Sequence, residues 1–272
     1  MIDKLREIFF SQAALTAYQA CPLKFRYRYL DDLGWLRTLQ DADRQTERLL
    51  GEQFHLLAQR YFQQVDLAAL RKGIPPGPLT AWFDNLERHF PLDSSVTYYS
   101  EQEIRINDGG TKLIAKYDLL AVYPDGRMII YDWKTPAKRL SKTLRTLQGK
   151  IYPILLCAAE HFGPPRPEMI TMVFWNPRFP DEKQLWAYHE RLYFEDRDEI
   201  YAMIAAILKK PYRDFCGIKP EDGSLPPKGC GYCEYRQLCY GTDGQKTGFN
   251  TVVAPESFFC WDDIEEIRYE EA

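Results

Sequence analysis

Hydrophobic positions along this chain change their period partway through. Between residues 44 and 64 they recur at helical spacing: Leu50, Phe54, Leu57 and Tyr61 lie four, three and four residues apart, one face of a long helix. GIPPGP at 73–78 reads as a loop from its Pro and Gly content, and 79–90 as another helix. The pattern then shortens. YSEQEIRIN (99–107) alternates polar and apolar, TKLIAKYDLLAVY (111–123) is a near-continuous apolar strand, PDG at 124–126 signals a tight turn, and RMIIYDWKT (127–135) is the return strand. This is a three-stranded meander. Residues 140–160 read as a helix, MITMVFW (169–175) as a buried strand, QLWAYHERLYF (184–194) as a further strand, and 194–210 as helix. The first 35 residues read as a short helix followed by the aromatic and basic stretch CPLKFRYRYLDDLGW, and the chain beyond 211 is rich in Pro, Gly and Cys. The expectation is an α/β fold: a mixed sheet flanked by helices, a helical insertion before it, and a cysteine-bearing lobe made from both chain ends.

Composition adds limits. The chain of 272 residues is 45% apolar and 14% aromatic, enough for a substantial core in one large domain. No apolar run reaches the roughly 18 residues of a membrane helix. The start lacks a secretory pattern, so the expected location is the cytoplasm. The net charge of −4 argues weakly against nucleic acid but is unevenly spread: residues 256–272 hold seven acidic residues and one Arg, which leaves about +2 on the remainder. PAKRLSKTLRTLQGK (136–150) holds five basic residues and no acidic one. Such a run is open between a solvated helix face and a phosphate-holding surface. The seven cysteines are not expected to form disulfides in the cytosol.

The candidate chemistry centres on IIYDWKT (129–135), where Asp132 and Lys134 stand two apart at the end of a strand that should be buried. By simple alternation Ile114, Lys116, Asp118, Leu120 and Val122 share one face, and Met128, Ile130, Asp132 and Lys134 another. The hairpin brings Asp118 toward Asp132. Paired carboxylates repel unless a cation lies between them, and hard divalent ions favour oxygen ligands. A lysine beside such a site can orient water or stabilise charge on a phosphate. Taken singly, Asp-x-Lys is an ordinary strand-end ion pair, His55 a structural helix histidine, Glu103 a wet edge-strand residue, and Gln148 with Tyr152 a polar side chain beside a core aromatic.

Their order is less ordinary. His55, Glu103, Asp118, Asp132-Trp133-Lys134 and Gln148-x-x-x-Tyr152 resemble the RecB-like branch of the PD-(D/E)XK nuclease superfamily. The resemblance implies a restriction-endonuclease-like fold. It implies magnesium or manganese on His55, Asp118, Asp132 and the Trp133 backbone carbonyl, with Lys134, Glu103, Gln148 and Tyr152 in the catalytic set, Gln148 and Tyr152 supporting the site and contacting DNA. Where that family often has Gly-Arg or a similar pair before the second acidic residue, this chain has Lys116-Tyr117.

Cys230, Cys233 and Cys239 lack a fourth ligand, for which Cys21 and Cys216 are rivals. Spacing alone leaves zinc and an iron–sulfur cluster open. An early Cys-Pro with a late Cys-x-x-Cys-x(5)-Cys is similar to the iron–sulfur staple of AddB-type nucleases and CRISPR-adaptation nucleases, which implies one 4Fe-4S cluster on Cys21, Cys230, Cys233 and Cys239. The implied organisation is one nuclease domain over 1–250 (core about 95–210, helical insertion about 40–92, cluster lobe from 11–37 and 211–245) and an acidic tail at 251–272. The implied activity is hydrolysis of DNA, as an exonuclease on single strands or duplex ends, in repair, recombination or CRISPR adaptation. No phosphate-binding loop of helicase type is present, so a helicase would be a separate partner. The alternatives are a silent DNA-binding module and a metal-stabilised interaction scaffold.

Overall fold

The structure, a computed structural model, describes residues 2–35, 42–139, 146–159, 162, 166–217, 229–230 and 233–240. The chain enters through α1 (Ile2–Glu7), α2 (Gln12–Ala20) and α3 (Pro22–Phe25), then a turn of π-helix at Arg26–Leu30. Next come α4 (Ala42–Phe62), α5 (Leu67–Gly73) and α6 (Pro78–His89). The sheet follows: β1 (Thr97–Asp108), β2 (Thr111–Val122) and β3 (Met128–Trp133). Helix α7 (Leu147–Ala158) crosses to β4 (Ile170–Trp175), β5 (Lys183–Ala187) returns, and α8 (Glu190–Lys209) and α9 (Arg236–Tyr240) complete the described elements.

The sheet order is β1-β2-β3-β4-β5. All neighbours are antiparallel except β3 and β4, which run parallel. That parallel step requires a crossover, which α7 supplies. The mixed sheet flanked by helices is the arrangement expected from the strand and helix pattern, and it agrees with the restriction-endonuclease-like fold that the resemblance implies. One face buries Ile130, Met172 and Phe174 against Ile151, Ile154, Ile200 and Ile204 of α7 and α8. The other buries Leu119, Trp133 and Trp175 under Phe54, Ala58, Trp82 and Phe83 of α4 and α6. Rings on that second face meet edge to face, as in Trp133–Trp175 at 5.8 Å and Phe90–Trp175 at 4.8 Å. Such packing anchors the adjacent ends of β3 and β4.

Three expectations need correction. The strand drawn through 194 stops at Ala187, because His189 accepts a hydrogen bond from the Leu192 amide and starts α8 at Glu190. Helix α5 was missed, although Asp66 caps it through the Ala69 amide at 2.8 Å. The shared face drawn through Ile114, Lys116, Asp118, Leu120 and Val122 also fails. Leu113, Ala115 and Tyr117 pack in the same core as Leu120, whereas Leu119 packs in the opposite one. Strand β1 reverses likewise: Tyr99 and Ile104, five residues apart, belong to one core. A regular strand forbids both, since its faces alternate with period two. The reversal sits where Glu101 adopts φ 55°, a left-handed kink uncommon outside glycine. The pairing register is unchanged on either side of it, Ser100 with Leu119 and Gln102 with Tyr117. Of the expected helix at 140–160, α7 begins at Leu147, and residues 140–145 lie outside the described residues, as does the acidic tail. Among the described residues no helix is long and apolar enough to cross a membrane.

Candidate active site

The kinked strands place three carboxylates in a row. The β1–β2 register, interpolated between Ser100–Leu119 and Gln102–Tyr117, puts Glu101 opposite Asp118. The β2–β3 register, continued one step past Leu119–Tyr131, puts Asp118 opposite Asp132. Helix α4 lays His55 over the row, with Nδ1 3.2 Å from Asp118 Oδ1. Donor atoms of His55, Glu101 and Asp118 lie within 4.8 Å of one another. They line an open cleft of about 520 Å³ together with Arg48, Gln59 and Thr135.

Asp132 is the buried member, 4% exposed. Its Oδ1 forms an ion pair with Lys134 Nζ at 2.5 Å yet makes no well-directed hydrogen bond among the described residues. Gln148, at the start of α7, bridges the pair: its amide donates to Asp132 Oδ2, and its carbonyl oxygen accepts from Lys134 Nζ at 2.8 Å. Thr146 caps α7 through the Gly149 amide at 3.3 Å. Gly149 itself lies against Trp186, where an added Cβ would stand 2.0 Å from the ring. That close approach seats Gln148 over the end of β3. Tyr152 packs one turn along, its ring 5.1 Å from Tyr117, and its backbone oxygen accepts from the Tyr117 hydroxyl at 2.9 Å.

Electrostatics follow from this crowding. Burial first, then the Asp118 charge, push the Asp132 carboxyl up to about 6, although Lys134 and His55 oppose the rise. Burial lowers the His55 value, but the hydrogen bond and charge of Asp118, with Asp132 and Glu101 behind it, outweigh burial and raise it overall. A site that holds carboxylates together until one resists ionisation is short of positive charge. The donor chemistry, oxygen with one imidazole, and the poorly satisfied buried Asp132 oxygen both suit a hard divalent cation. Trp133 also faces this gap: its amide donates to Asp118 Oδ2 at 2.7 Å. In a strand the N–H and C=O of one residue point to the same side, so its carbonyl is turned toward the row.

Thus the structure brings His55, Asp118, Asp132, Trp133, Lys134, Gln148 and Tyr152 together. Glu103 is not among them. It lies opposite Lys116, is exposed, and pairs with Arg105 at 2.8 Å. The kink aims Glu101 into the cleft instead, where it also meets Lys116. A usable signal was present in the sequence: taking Asp108-Gly109-Gly110 as the hairpin turn sets Glu101 across from Asp118.

Four of the cysteines lie where the two ends of the described chain meet. Cys21 and Cys239 both border the Tyr27 ring, whose hydroxyl value burial and then the Cys239 charge raise. Cys233 lies near Cys230 and Lys24, and burial raises its thiol. Lys24 meets Glu234 at 2.8 Å, and Tyr27 packs on Tyr235 at 5.4 Å. The rival Cys216 is exposed and donates to the Arg213 carbonyl.

Two solved structures are similar to this chain. One is the crystal structure of SSO0001, at 16% identity over 86% of each chain with TM-score 0.39. The other is an exonuclease candidate from Eubacterium rectale, at 11% identity over 76% of this chain and 82% of that one with TM-score 0.47. No curated protein matches the chain. The family model of the PD-(D/E)XK nuclease superfamily matches residues 10–240. That span takes in the whole carboxylate row, His55, Lys134 and Gln148, and the chain belongs to the PD-(D/E)XK nuclease superfamily.

Proposed function

We propose that this nuclease hydrolyses DNA phosphodiesters at the carboxylate row, with magnesium or manganese held by His55, Asp118, Asp132 and the Trp133 carbonyl, and with Glu101 in the place first assigned to Glu103. The observation that carries this reading is the convergence of His55, Glu101 and Asp118 donor atoms within 4.8 Å, beside the Asp132–Lys134 pair. A bound divalent ion supplies Lewis-acid charge at the phosphate and makes water more acidic. Lys134, held by Asp132 and Gln148, directs its ammonium to the attacking water and to charge developing on the phosphate. Asp132 serves in its ionised form, so at limiting metal cutting falls as pH drops through about 6, and excess metal moves the fall to lower pH. Tyr152 closes the wall behind Gln148. A single nuclease domain over 1–250 with its core at about 95–210 is part of the same reading, as is exonuclease action on single strands or duplex ends. Action beside a separate helicase or CRISPR-adaptation protein also belongs to it.

The test is cleavage of labelled single-stranded DNA with manganese. Asp132→Ala is expected to cut at least ~100-fold more slowly than the parent; equal rates would remove Asp132 from the mechanism.

The RecB-like iron–sulfur branch is proposed on separate grounds. Cys21 and Cys239 both border one tyrosine, Cys230 and Cys233 lie nearby, and the four thiols are the donor type that iron–sulfur clusters take. A 4Fe-4S cluster there closes a loop of more than 200 residues, offsetting about 5 kcal/mol of chain entropy. Anaerobically purified protein is then brown and carries iron and sulfide; colourless protein with stoichiometric zinc would replace the cluster by zinc.

A further inference from the structure

The described part of α4 carries one glycine in mid-helix, Gly51, nine residues from the nearer end. Glycine there costs about 1 kcal/mol relative to alanine, and α4 has no kink or cap at this point that would call for it. The reason is contact. Gly51 is buried, and a Cβ added to it would lie 2.6 Å from the Thr135 hydroxyl oxygen, with the Thr135 Cβ at 3.6 Å. Thr135 directly follows Lys134 and cannot easily withdraw. Its carbonyl accepts from Arg178 Nε at 3.0 Å, and the neighbouring Pro136 carbonyl accepts from Asn176 at 2.9 Å. Arg178 is itself stacked over Trp82 at 4.6 Å.

His55 lies four residues after Gly51, so the two are stacked one turn apart on the same helix face. The helix therefore approaches the end of β3 through Gly51 and the carboxylate row through His55, as a single rigid contact. We infer that Gly51 is a positioning residue: its missing side chain lets α4 close onto Thr135, and that closure sets the reach of His55 to Asp118. A methyl group at 51 holds the helix off Thr135 and draws the imidazole back from the row. This inference rests on the metal reading above for its consequence, though not for its geometry.

Three variants test it: Gly51→Ala, Thr135→Ala, and the two combined. In the double variant the threonine hydroxyl is gone and only the ordinary Cβ contact at 3.6 Å remains. Two quantities are measured for each: the His55–Asp118 separation in crystals grown without metal, and manganese affinity by calorimetry without DNA. Gly51→Ala is expected to lengthen the separation beyond hydrogen-bonding reach and to weaken manganese binding about 10-fold, in the range typical of changes that reorient a ligand. The double variant returns to within about 3-fold of Thr135→Ala alone on the same scale. An unchanged separation in Gly51→Ala overturns the inference, as does a double variant no better than Gly51→Ala. If Gly51→Ala fails to fold, folding and metal binding by the double variant support the inference, and failure of both variants overturns it. A parent that binds no manganese sinks the metal reading, while the separations still decide the role of Gly51.

Discussion

The carboxylate row and the cysteine lobe each unite residues distant in sequence, but with different materials. Glu101, Asp118 and Asp132 sit on three neighbouring strands, and main-chain pairing fixes where each falls. The aromatic layer of Phe54, Phe90, Trp133 and Trp175 stiffens the strand ends beneath them. The lobe relies on side chains: Lys24 with Glu234, the Tyr235 hydroxyl on the Leu33 carbonyl at 3.1 Å, and the Tyr212 hydroxyl on Asp31 at 2.6 Å. Contacts of this kind contribute about 1 kcal/mol apiece, against about 5 kcal/mol of entropy for closing so long a loop. The row is thus held by the sheet before any ion arrives, whereas the polar contacts of the lobe fall short of the closure cost, a shortfall that the proposed metal clip would cover.

The largest effect should come from removing that clip. With the proposed cluster in place, Cys233→Ser or loss of iron is expected to lower the free energy of local opening at the two chain ends by up to about 5 kcal/mol. Hydrogen exchange reads this directly: protection falls in α2, α3 and α9 while the amides of β2 and β3 keep theirs. Equal loss across the sheet would erase the distinction between the two regions.

A smaller effect lies inside the row. The Asp132 carboxyl, raised to about 6 from 3.8 by burial and by Asp118, keeps its proton in the folded state after the unfolded chain has lost it. Metal-free protein therefore loses stability as pH rises from about 4 to 7, by up to about 3 kcal/mol. Asp132→Asn lacks this loss. Relative to the parent it should gain stability over that interval, measured by urea unfolding at pH about 4.5 and 7.5 in chelator. Manganese should reverse the order at the higher pH, since only the ionised carboxylate takes the metal. A pH-independent difference would mean that Lys134 fully neutralises Asp132 and that the row carries no unmet charge.

The sequence revealed the sheet better than the sites on it. Strands β2, β3 and β4 were legible because their apolar runs are long and bounded by turns, and α4 because Leu50, Phe54, Leu57 and Tyr61 keep helical spacing. His55, Asp118, Asp132, Lys134 and Gln148 were legible as an ordered set. Alternation failed at the kink, since a left-handed residue other than glycine has no signature in composition. Lys116, assigned to the face of Leu120, is exposed for that reason. The onset of α8 was hidden because the apolar residues of HERLYF suit a strand as well as a helix, and the capping role of His189 depends on geometry. Gly51 reads from sequence only as a weak point in α4; its contact with Thr135 spans 84 residues and exists only in three dimensions.

The finest test separates two glutamates two residues apart. Glu101 and Glu103 have the same charge and share a strand, and simple alternation puts them on one face. The kink at Glu101 gives them different surroundings: Glu101 faces His55 and Asp118, whereas Glu103 faces solvent and Arg105. Neutralising each should therefore have unequal results. Glu101→Gln removes a carboxylate oxygen from the donor group and is expected to slow cleavage by about 10–100-fold at limiting manganese. Excess metal should recover part of that loss. Glu103→Gln breaks only an exposed ion pair worth less than about 1 kcal/mol and should leave the rate within about 2-fold of the parent, with the same metal dependence. Activity curves against manganese concentration for the two variants, run side by side, decide the matter. If Glu103→Gln proved the more damaging, the kink would have been assigned to the wrong residue, and the row would have to be redrawn through Glu103 and Lys116.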